Sequence, residues 1–257
     1  MSAWLEHAEH APGAGTTVDV VSVEDGIVEI RMRDDAGHNG MSAAWVCAFI
    51  HCLRTVTADP ACKVALLTGL GDYFCTGATL EALSDLRASR LAPTELTLGR
   101  QILGLNVPVI GVAEGHAIGG GLALLLSCDL ILINEEGRYG ANFMTLGITP
   151  GMGMTHLLED AFGRSMAHEL LYTGDLKRGS FFKEKGGFNA VLPRADLRRH
   201  ALLLARALAE KPRDNLIQLK RALTLPRRRA FEEASTLESM MHEMSLSHLD
   251  LNQWGAP

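Results

Sequence analysis

The chain has 257 residues and a net charge of −6 at pH 7, and it is 47% hydrophobic and 21% charged. This balance is typical of a globular protein and excludes a disordered chain. A nucleic-acid-binding protein would carry a basic surface, so we expect no nucleic-acid partner. The N-terminus has no signal pattern and the longest apolar run, Ala117 to Leu126, is too short to span a bilayer, so we expect a cytoplasmic protein without a membrane partner.

Hydrophobic patterning predicts alternating strands and helices in the first half of the chain. Residues 1–17 are rich in Gly, Ala and His and are expected to form a flexible N-terminus. The elements predicted next are, in order, a hairpin of strands Val18–Val23 and Ile27–Met32, helix Met41–Thr57, strand Val64–Thr68, helices Thr79–Arg90 and Pro93–Leu105, strand Val107–Val112, helix Gly120–Cys128 and strand Leu130–Asn134. This order implies parallel strands joined by crossover helices.

Helical patterns dominate the second half. After a short element at Asn142–Gly147, the predicted helices are Gly151–Phe162, Ala167–Tyr172, Ser180–Lys185, Ala195–Ala209, Asn215–Leu225 and Arg229–His248. We therefore divide the chain into a core at 18–194 and a helical C-terminal region at 195–257. The basic turn 226–229 between the last two helices is either a solvated helix start or a patch for an acidic carrier protein or a phosphate.

No cofactor site stands out among the titratable residues. Five cysteines without paired spacing indicate reduced thiols rather than a disulfide framework. No two His or acidic residues stand at metal-ligand spacing with a third ligand, so no metal and no bound cofactor are expected.

The glycine segment 115–121 is the most informative part of the chain. Gly119, Gly120 and Gly121 precede the apolar run Leu122–Leu126, where a buried helix should begin. The first N–H groups of a helix have no partner inside it and lie at the positive end of its dipole, which favours a negatively charged oxygen. We predict a site that stabilises an oxyanion; the alternative is tight packing between helix and sheet.

Three segments, residues 73–79 (YFCTGAT), 115–121 (GHAIGGG) and 147–153 (GITPGMG), resemble the crotonase superfamily of enoyl-CoA hydratases and isomerases in order and separation. The resemblance runs from Val18 to the C-terminus. It implies an α/β crotonase fold with a ββα spiral core, and a C-terminal helical region that builds a homotrimer. It also implies an oxyanion hole formed by the main-chain N–H groups of Ala78 and Gly120, which would hold a thioester oxygen as it becomes an enolate.

Departures from the family pattern narrow the range of reactions that the protein could catalyse. Hydratases of this family hold water with two glutamates, whose positions here are Ala123 and Phe143. Neither side chain can transfer a proton. Relocation of the carboxylates to Glu114 or Glu135 is an alternative that we disfavour, because one lies before the glycine turn and the other in an apparent surface turn.

The remaining pocket residues resemble one subgroup, the decarboxylases of polyketide β-branching. Asn142, Phe143, Met144 and Met152 would line the pocket, and residues 238–243 (ESMMHE) resemble the subgroup's C-terminal helix, which makes His242 the catalytic histidine. The resemblance implies a carboxy-lyase acting on a 3-methylglutaconyl thioester carried on the phosphopantetheine of an acyl carrier protein. The alternative interpretation of His242 is a surface histidine on an amphipathic helix.

Decarboxylation accounts for the missing carboxylates. Loss of CO2 pushes two electrons into the thioester carbonyl, and the dienolate then needs a single protonation, which an imidazole can supply. The subgroup's usual active-site lysine is absent, and Arg87 or Arg90 could steer the substrate carboxylate instead. Two other functions remain open: an enoyl-thioester isomerase or hydratase-like enzyme, and a non-catalytic scaffold. The position of the product double bond and the particular carrier protein also stay open.

Overall fold

The computed structural model describes residues 17–246. In that range the strands are β1 Val18–Glu24, β2 Ile27–Met32, β3 Val64–Thr68, β4 Tyr73–Cys75, β5 Val109–Ala113, β6 His116–Ile118, β7 Leu130–Asn134, β8 Arg138–Gly140, β9 Lys177–Arg178 and β10 Ala190–Leu192. The α-helices are α1 Ala43–Ala58, α2 Leu80–Arg87, α3 Gly99–Gly104, α4 Gly120–Leu126, α5 Met154–Thr173, α6 Arg194–Ala209 and α7 Arg213–Leu246. The predicted flexible N-terminus, apart from Thr17, and the end of the last predicted helix lie outside the described residues.

The main sheet has six strands in the order β1-β2-β3-β5-β7-β10. β1 and β2 form the predicted antiparallel hairpin, and every later pairing in this sheet is parallel. All five residues of β3 and all five of β5 are buried, as expected for central strands covered on both faces. The prediction of an α/β fold with parallel strands is confirmed.

A second, smaller sheet of strands β4, β6, β8 and β9 was not predicted. Its strands have two or three residues each, which is too short for the period-two alternation that identifies a strand. β4 and β6 pair in parallel, with Tyr73 opposite His116 and Cys75 opposite Ala117. Because the carboxyl ends of parallel strands lie at the same edge, the chain leaves both strands side by side.

The two helices of the predicted C-terminal region pack in different places. α6 lies on the main sheet, where Leu197, Ala201 and Ala205 are buried against strands β3, β5 and β7. α7 packs instead against α5 and α3. The described residues of the predicted C-terminal region therefore pack against two different parts of the fold. The predicted role of that region in trimer formation stays a prediction.

The last two predicted helices are one continuous helix, α7, which contains Pro226. A proline inside a helix costs about 3 kcal/mol, so packing must offset it. Arg227, the next residue, donates to the Leu126 carbonyl at 2.9 Å and to Asp160 at 2.8 Å. The segment 226–229 thus continues a helix that other elements hold in place, and it is not a turn.

Four other helix predictions differ from the structure. The predicted helix Pro93–Leu105 is a 3-10 turn at Pro93–Leu96 followed by α3. The predicted helix Ser180–Lys185 is a 3-10 turn at Gly179–Phe182. The two helices expected between residues 151 and 172 form α5, which is interrupted at Gly163 (φ 73°, ψ 163°), a conformation that glycine adopts readily.

Within residues 17–246, no helix combines the length and the apolar character needed to cross a membrane.

The fit between β4 and α4 can be tested at Gly121. A Cβ on this residue would collide with the main-chain carbonyl of Cys75, so Gly121→Ala should lower the free energy of unfolding by about 1–3 kcal/mol. Gly104 is the matched control, because its added Cβ would meet nothing within 4 Å. Gly104→Ala should be neutral or slightly stabilising. Urea denaturation of both variants measures the difference, and equal stabilities would contradict this packing.

Candidate active site

Two main-chain amides meet where β4 and β6 end. Gly77 has φ 85°, and a Cβ on it would lie 3.0 Å from the Gly120 nitrogen, so the backbone before Ala78 runs directly against the start of α4. The neighbouring groups are engaged: Met41 N–H donates to the Gly77 carbonyl at 2.8 Å, and Gly119 N–H donates to the Gly140 carbonyl at 2.9 Å. Within the described chain, the N–H groups of Ala78 and Gly120 have no protein acceptor. They are two free donors in one place.

Both residues line a single cavity. Aliphatic and aromatic side chains form most of its wall. The lining residues are Ala78, Leu83, Leu86, Pro93, Leu96, Thr97, Gly120, Phe143, Ile148, Gly151, Met152, Glu238, Ser239 and His242. No Lys or Arg of the described chain is among them, so an anion that enters the cavity meets no side-chain cation.

His242 is buried in the wall of this cavity, with 6% of its surface exposed. Its ring lies against Gly151, where a Cβ would stand 3.3 Å from Cε1 and 3.4 Å from Nδ1. Burial lowers the pKa of His242, and the carbonyl groups of Pro150 and Thr149 offset part of this effect. Desolvation disfavours the charged imidazolium, so the ring is predominantly neutral at pH 7.

The other polar side chains of the cavity are already bonded. Thr97 donates to the Pro93 carbonyl at 3.1 Å, and Ser239 donates to the Ser235 carbonyl at 2.8 Å. His242 differs, because its Nδ1 is buried and has no partner in the described part of the protein. Buried polar atoms are nearly always hydrogen-bonded, so this nitrogen marks a position where a ligand group is expected.

Glu238 also lines the cavity, although the sequence analysis did not select it. It is 1% exposed and accepts three hydrogen bonds, from Gly153 N–H at 2.6 Å, Thr155 N–H at 2.7 Å and the Thr155 hydroxyl at 2.6 Å. Burial raises its pKa, against the lowering effect of these bonds. Its one signal in the sequence is its position four residues before His242, which places both on one face of a helix.

The predicted site residues fall into two groups. Ala78, Gly120, Phe143, Met152 and His242 line the cavity together. Three predicted pocket residues do not line it: Asn142, Met144 and Arg90.

Each of these three has a different environment. The Asn142 side chain lies beside Gly119, with Oδ1 3.0 Å from where a Cβ would stand. Met144 is 46% exposed and borders a second cavity near Tyr172 and Met241. Arg90 lies at the surface in an ion pair with Asp85 at 2.6 Å. Arg90 therefore does not contact the cavity in which it was expected to steer the substrate carboxylate.

The positions of the hydratase glutamates hold no carboxylate. Ala123 is fully buried in α4, and Phe143 forms part of the apolar wall. The two carboxylates considered as replacements lie elsewhere: Glu135 pairs with Lys183 at 2.6 Å, and Glu114 lies 3.9 Å from Arg194. Within residues 17–246, no group of three His, Cys, Asp or Glu side chains could hold a metal ion.

Comparison with known proteins agrees with this geometry. The profile of the family described as enoyl-CoA hydratase/isomerase matches residues 22–255, and the chain belongs to this family. The bacillaene synthase decarboxylase PksI of Bacillus subtilis (strain 168) is 34% identical over 233 residues, which cover 91% of this chain and 94% of that protein.

Two solved structures are also similar. One, from a dehydratase/decarboxylase enzyme couple involved in polyketide β-branching, has a TM-score of 0.88 at 32% identity and covers 93% of this chain and 100% of its own. The other, the ECH2 decarboxylase domain of CurF from Lyngbya majuscula, has a TM-score of 0.85 at 31% identity and covers 93% and 98%. The resemblance to the crotonase superfamily and to its β-branching decarboxylases is confirmed.

The buried state of His242 predicts a pH dependence of stability. Its pKa in the folded protein lies below the ordinary value of 6.5, so the unfolded chain binds this proton more readily. The free energy of unfolding should therefore fall as the pH drops from about 6.5 through the folded-state pKa. His242→Gln removes this contribution and should lose less stability over that interval. Urea denaturation from pH 7.5 to about 4.5 tests this; parallel curves for the two proteins would contradict it.

Proposed function

We propose that the protein is a carboxy-lyase that decarboxylates a 3-methylglutaconyl-type thioester, carried on the phosphopantetheine of an acyl carrier protein, during polyketide β-branching. One observation carries the proposal: Ala78 and Gly120, whose N–H groups are free, line an apolar cavity together with His242, whose Nδ1 has no partner in the described part of the protein. The names of the similar decarboxylases support it.

The two amides act on the thioester carbonyl oxygen. As the bond between the substrate carboxylate and its carbon breaks, CO2 departs and the electron pair moves through the double bond onto that oxygen. The product of this step is a dienolate, which Ala78 and Gly120 stabilise by two hydrogen bonds. Hydrogen-bond donors that are already in position stabilise the developing charge more strongly in a site that excludes water. Loss of one such donor typically raises the activation barrier by about 3–4 kcal/mol.

The apolar wall acts on the substrate carboxylate. Leu83, Leu86 and Leu96 line the cavity near the oxyanion donors, and no side-chain cation of the described chain faces it. An anion that enters loses its hydration and meets no Lys or Arg side chain, whereas neutral CO2 loses little. This difference raises the free energy of the bound carboxylate relative to the transition state.

His242 supplies the proton that completes the reaction. The ring is neutral in the free enzyme, and a substrate carboxylate in the cavity favours imidazolium because an opposite charge stabilises it. As neutral CO2 departs, the negative charge moves into the dienolate, and imidazolium is left beside it. Transfer of the proton to a dienolate carbon neutralises both groups, and His242 recovers its proton from solvent before the next cycle.

The same features weigh against the alternative functions. A hydratase would need a carboxylate free to activate water, and the one carboxylate among the described lining residues, Glu238, already accepts three hydrogen bonds. An isomerase could use neutral His242 as its base, but it has no need of a carboxylated substrate. A scaffold would have no need of two free donors beside a buried, unpartnered imidazole.

The direct test uses the carrier-bound substrate. Incubation with a 3-methylglutaconyl acyl carrier protein should remove the mass of CO2 from the protein-bound acyl group, as intact-protein mass spectrometry measures it. A crotonyl acyl carrier protein, which has no carboxylate, is the control and should gain no water. Hydration of the control without loss of CO2 from the first substrate would contradict the proposal and favour a hydratase.

Replacement of His242 tests its role as the acid. His242→Ala should lower kcat/KM by a factor of about 10² to 10⁴. The wild-type kcat/KM should fall as the pH rises through the lowered pKa of the free enzyme, because the acid loses its proton, and the variant should lose this limb. His51→Ala, on the exposed side of α1, is the control and should retain wild-type rates. Undiminished turnover in His242→Ala would exclude the histidine as the acid.

A further inference from the structure

We propose that Glu238 is a positioning residue: it holds α7 against α5 and so determines which carbon of the dienolate receives the proton from His242. This inference rests on the proposed decarboxylation and concerns the step after CO2 has left. The dienolate carries negative charge on the oxygen and on two carbons, the α and the γ carbon. Protonation at one or the other gives a different position of the double bond.

The first observation is the way in which Glu238 is buried. It has no ion-pair partner in the described part of the chain, and its three hydrogen bonds all come from the start of the 20-residue helix α5. A buried carboxylate without a cation is costly, and free N–H groups at the positive end of a helix offset that cost. These bonds join α7 to α5 at one fixed point.

The second observation is that α7 is fastened on both sides of His242. Glu238 is one turn before it, and Ser245 is one turn after it on the same face. The Ser245 hydroxyl accepts from Thr149 N–H at 3.2 Å and donates to the His242 carbonyl at 3.2 Å. Residues 149–155 are therefore bound at two points, with Gly151 between them against the imidazole.

The third observation connects this segment to the oxyanion donors. Met152 has φ 65°, which is unusual for a residue with a side chain, and a Cβ on Gly120 would collide with its sulfur. Thus one segment contacts both the proton donor and the start of α4. A shift of α7 relative to α5 would move His242 with respect to the bound dienolate while Ala78 and Gly120 stay in place. Loss of CO2 should then persist, and the site of protonation should change.

The test compares Glu238→Gln with a matched control, Glu29→Gln. The glutamine keeps the size of the side chain, but one end of it is an NH2 donor. In either orientation of the amide, this NH2 group faces another donor, Gly153 N–H or the two donors of Thr155, so a hydrogen bond is lost. Glu29, in strand β2, is also buried, at 2%, and is bound by Thr68 of β3 and by Arg198 of α6. None of these three residues lines the cavity. Both changes replace a buried carboxylate, and only Glu238 contacts the segment beside His242.

The reaction is run in D2O with a 3-methylglutaconyl acyl carrier protein, and NMR of the released acyl group locates the deuterium and the double bond. Wild type and Glu29→Gln should give one predominant isomer. Glu238→Gln should change the isomer ratio by about threefold to tenfold, as expected for one disrupted hydrogen bond. Thr155→Val, which removes one donor to Glu238, should shift the ratio in the same direction and serves if Glu238→Gln does not fold.

The outcomes separate the two proposals. If the wild type releases no CO2, the proposed function fails. If the wild type decarboxylates but Glu238→Gln and Thr155→Val keep its isomer ratio, or if Glu29→Gln shifts the ratio equally, Glu238 has no positioning role and the decarboxylase proposal stands. An isomer mixture already scrambled in the wild type would also overturn the positioning role.

Discussion

The site depends on the parallel pairing of two three-residue strands. β4 and β6 carry the chain to one edge of the small sheet, where Gly77 approaches the Gly120 nitrogen closely enough that a Cβ would stand 3.0 Å from it. The positive φ of Gly77 turns the chain there, which a residue with a Cβ adopts at a cost. Two N–H groups from segments about 40 residues apart in sequence thereby converge without any side chain being committed to catalysis. The side chains around them are free to set the reaction.

The surrounding apolar side chains favour a reaction that converts a bound carboxylate into neutral CO2. Hydration requires a base, a positioned water molecule and room for both, whereas Ala123 and Phe143 fill the corresponding positions with apolar groups. Burial of His242 in the cavity wall lowers its pKa, and the apolar wall destabilises a bound carboxylate. One physical change, the loss of polar atoms from the wall, removes one reaction and favours the other.

The sequence was sufficient for the parts of the site that depend on local chain geometry. The glycine triplet predicted the start of α4, because tight backbone approaches leave a recognisable pattern. Ala78 came instead from the resemblance of residues 73–79 to the crotonase superfamily, and its role as a donor stays a prediction. The sequence was insufficient where distant segments meet. Glu238 bonds to residues more than 80 positions earlier, and no pattern within α7 distinguishes that contact from an exposed glutamate. Arg90 was misleading for a different reason: a local ion pair with Asp85, five residues earlier, holds it at the surface.

α7 shows why tertiary contacts outweighed local signals in this region. Its sequence predicts a break at Pro226, yet Arg227 is bound to α4 and α5, and Lys220 donates to Asp129 and to two carbonyl groups near α3. A helix fixed at residues 220, 227, 238 and 245 has little freedom to slide along its axis. His242 lies between the last two of these points, so the direction from its ring to the cavity is set by contacts made along about 25 residues. A proton donor that must distinguish two carbons of one planar intermediate requires that kind of rigidity, which a loop would not supply.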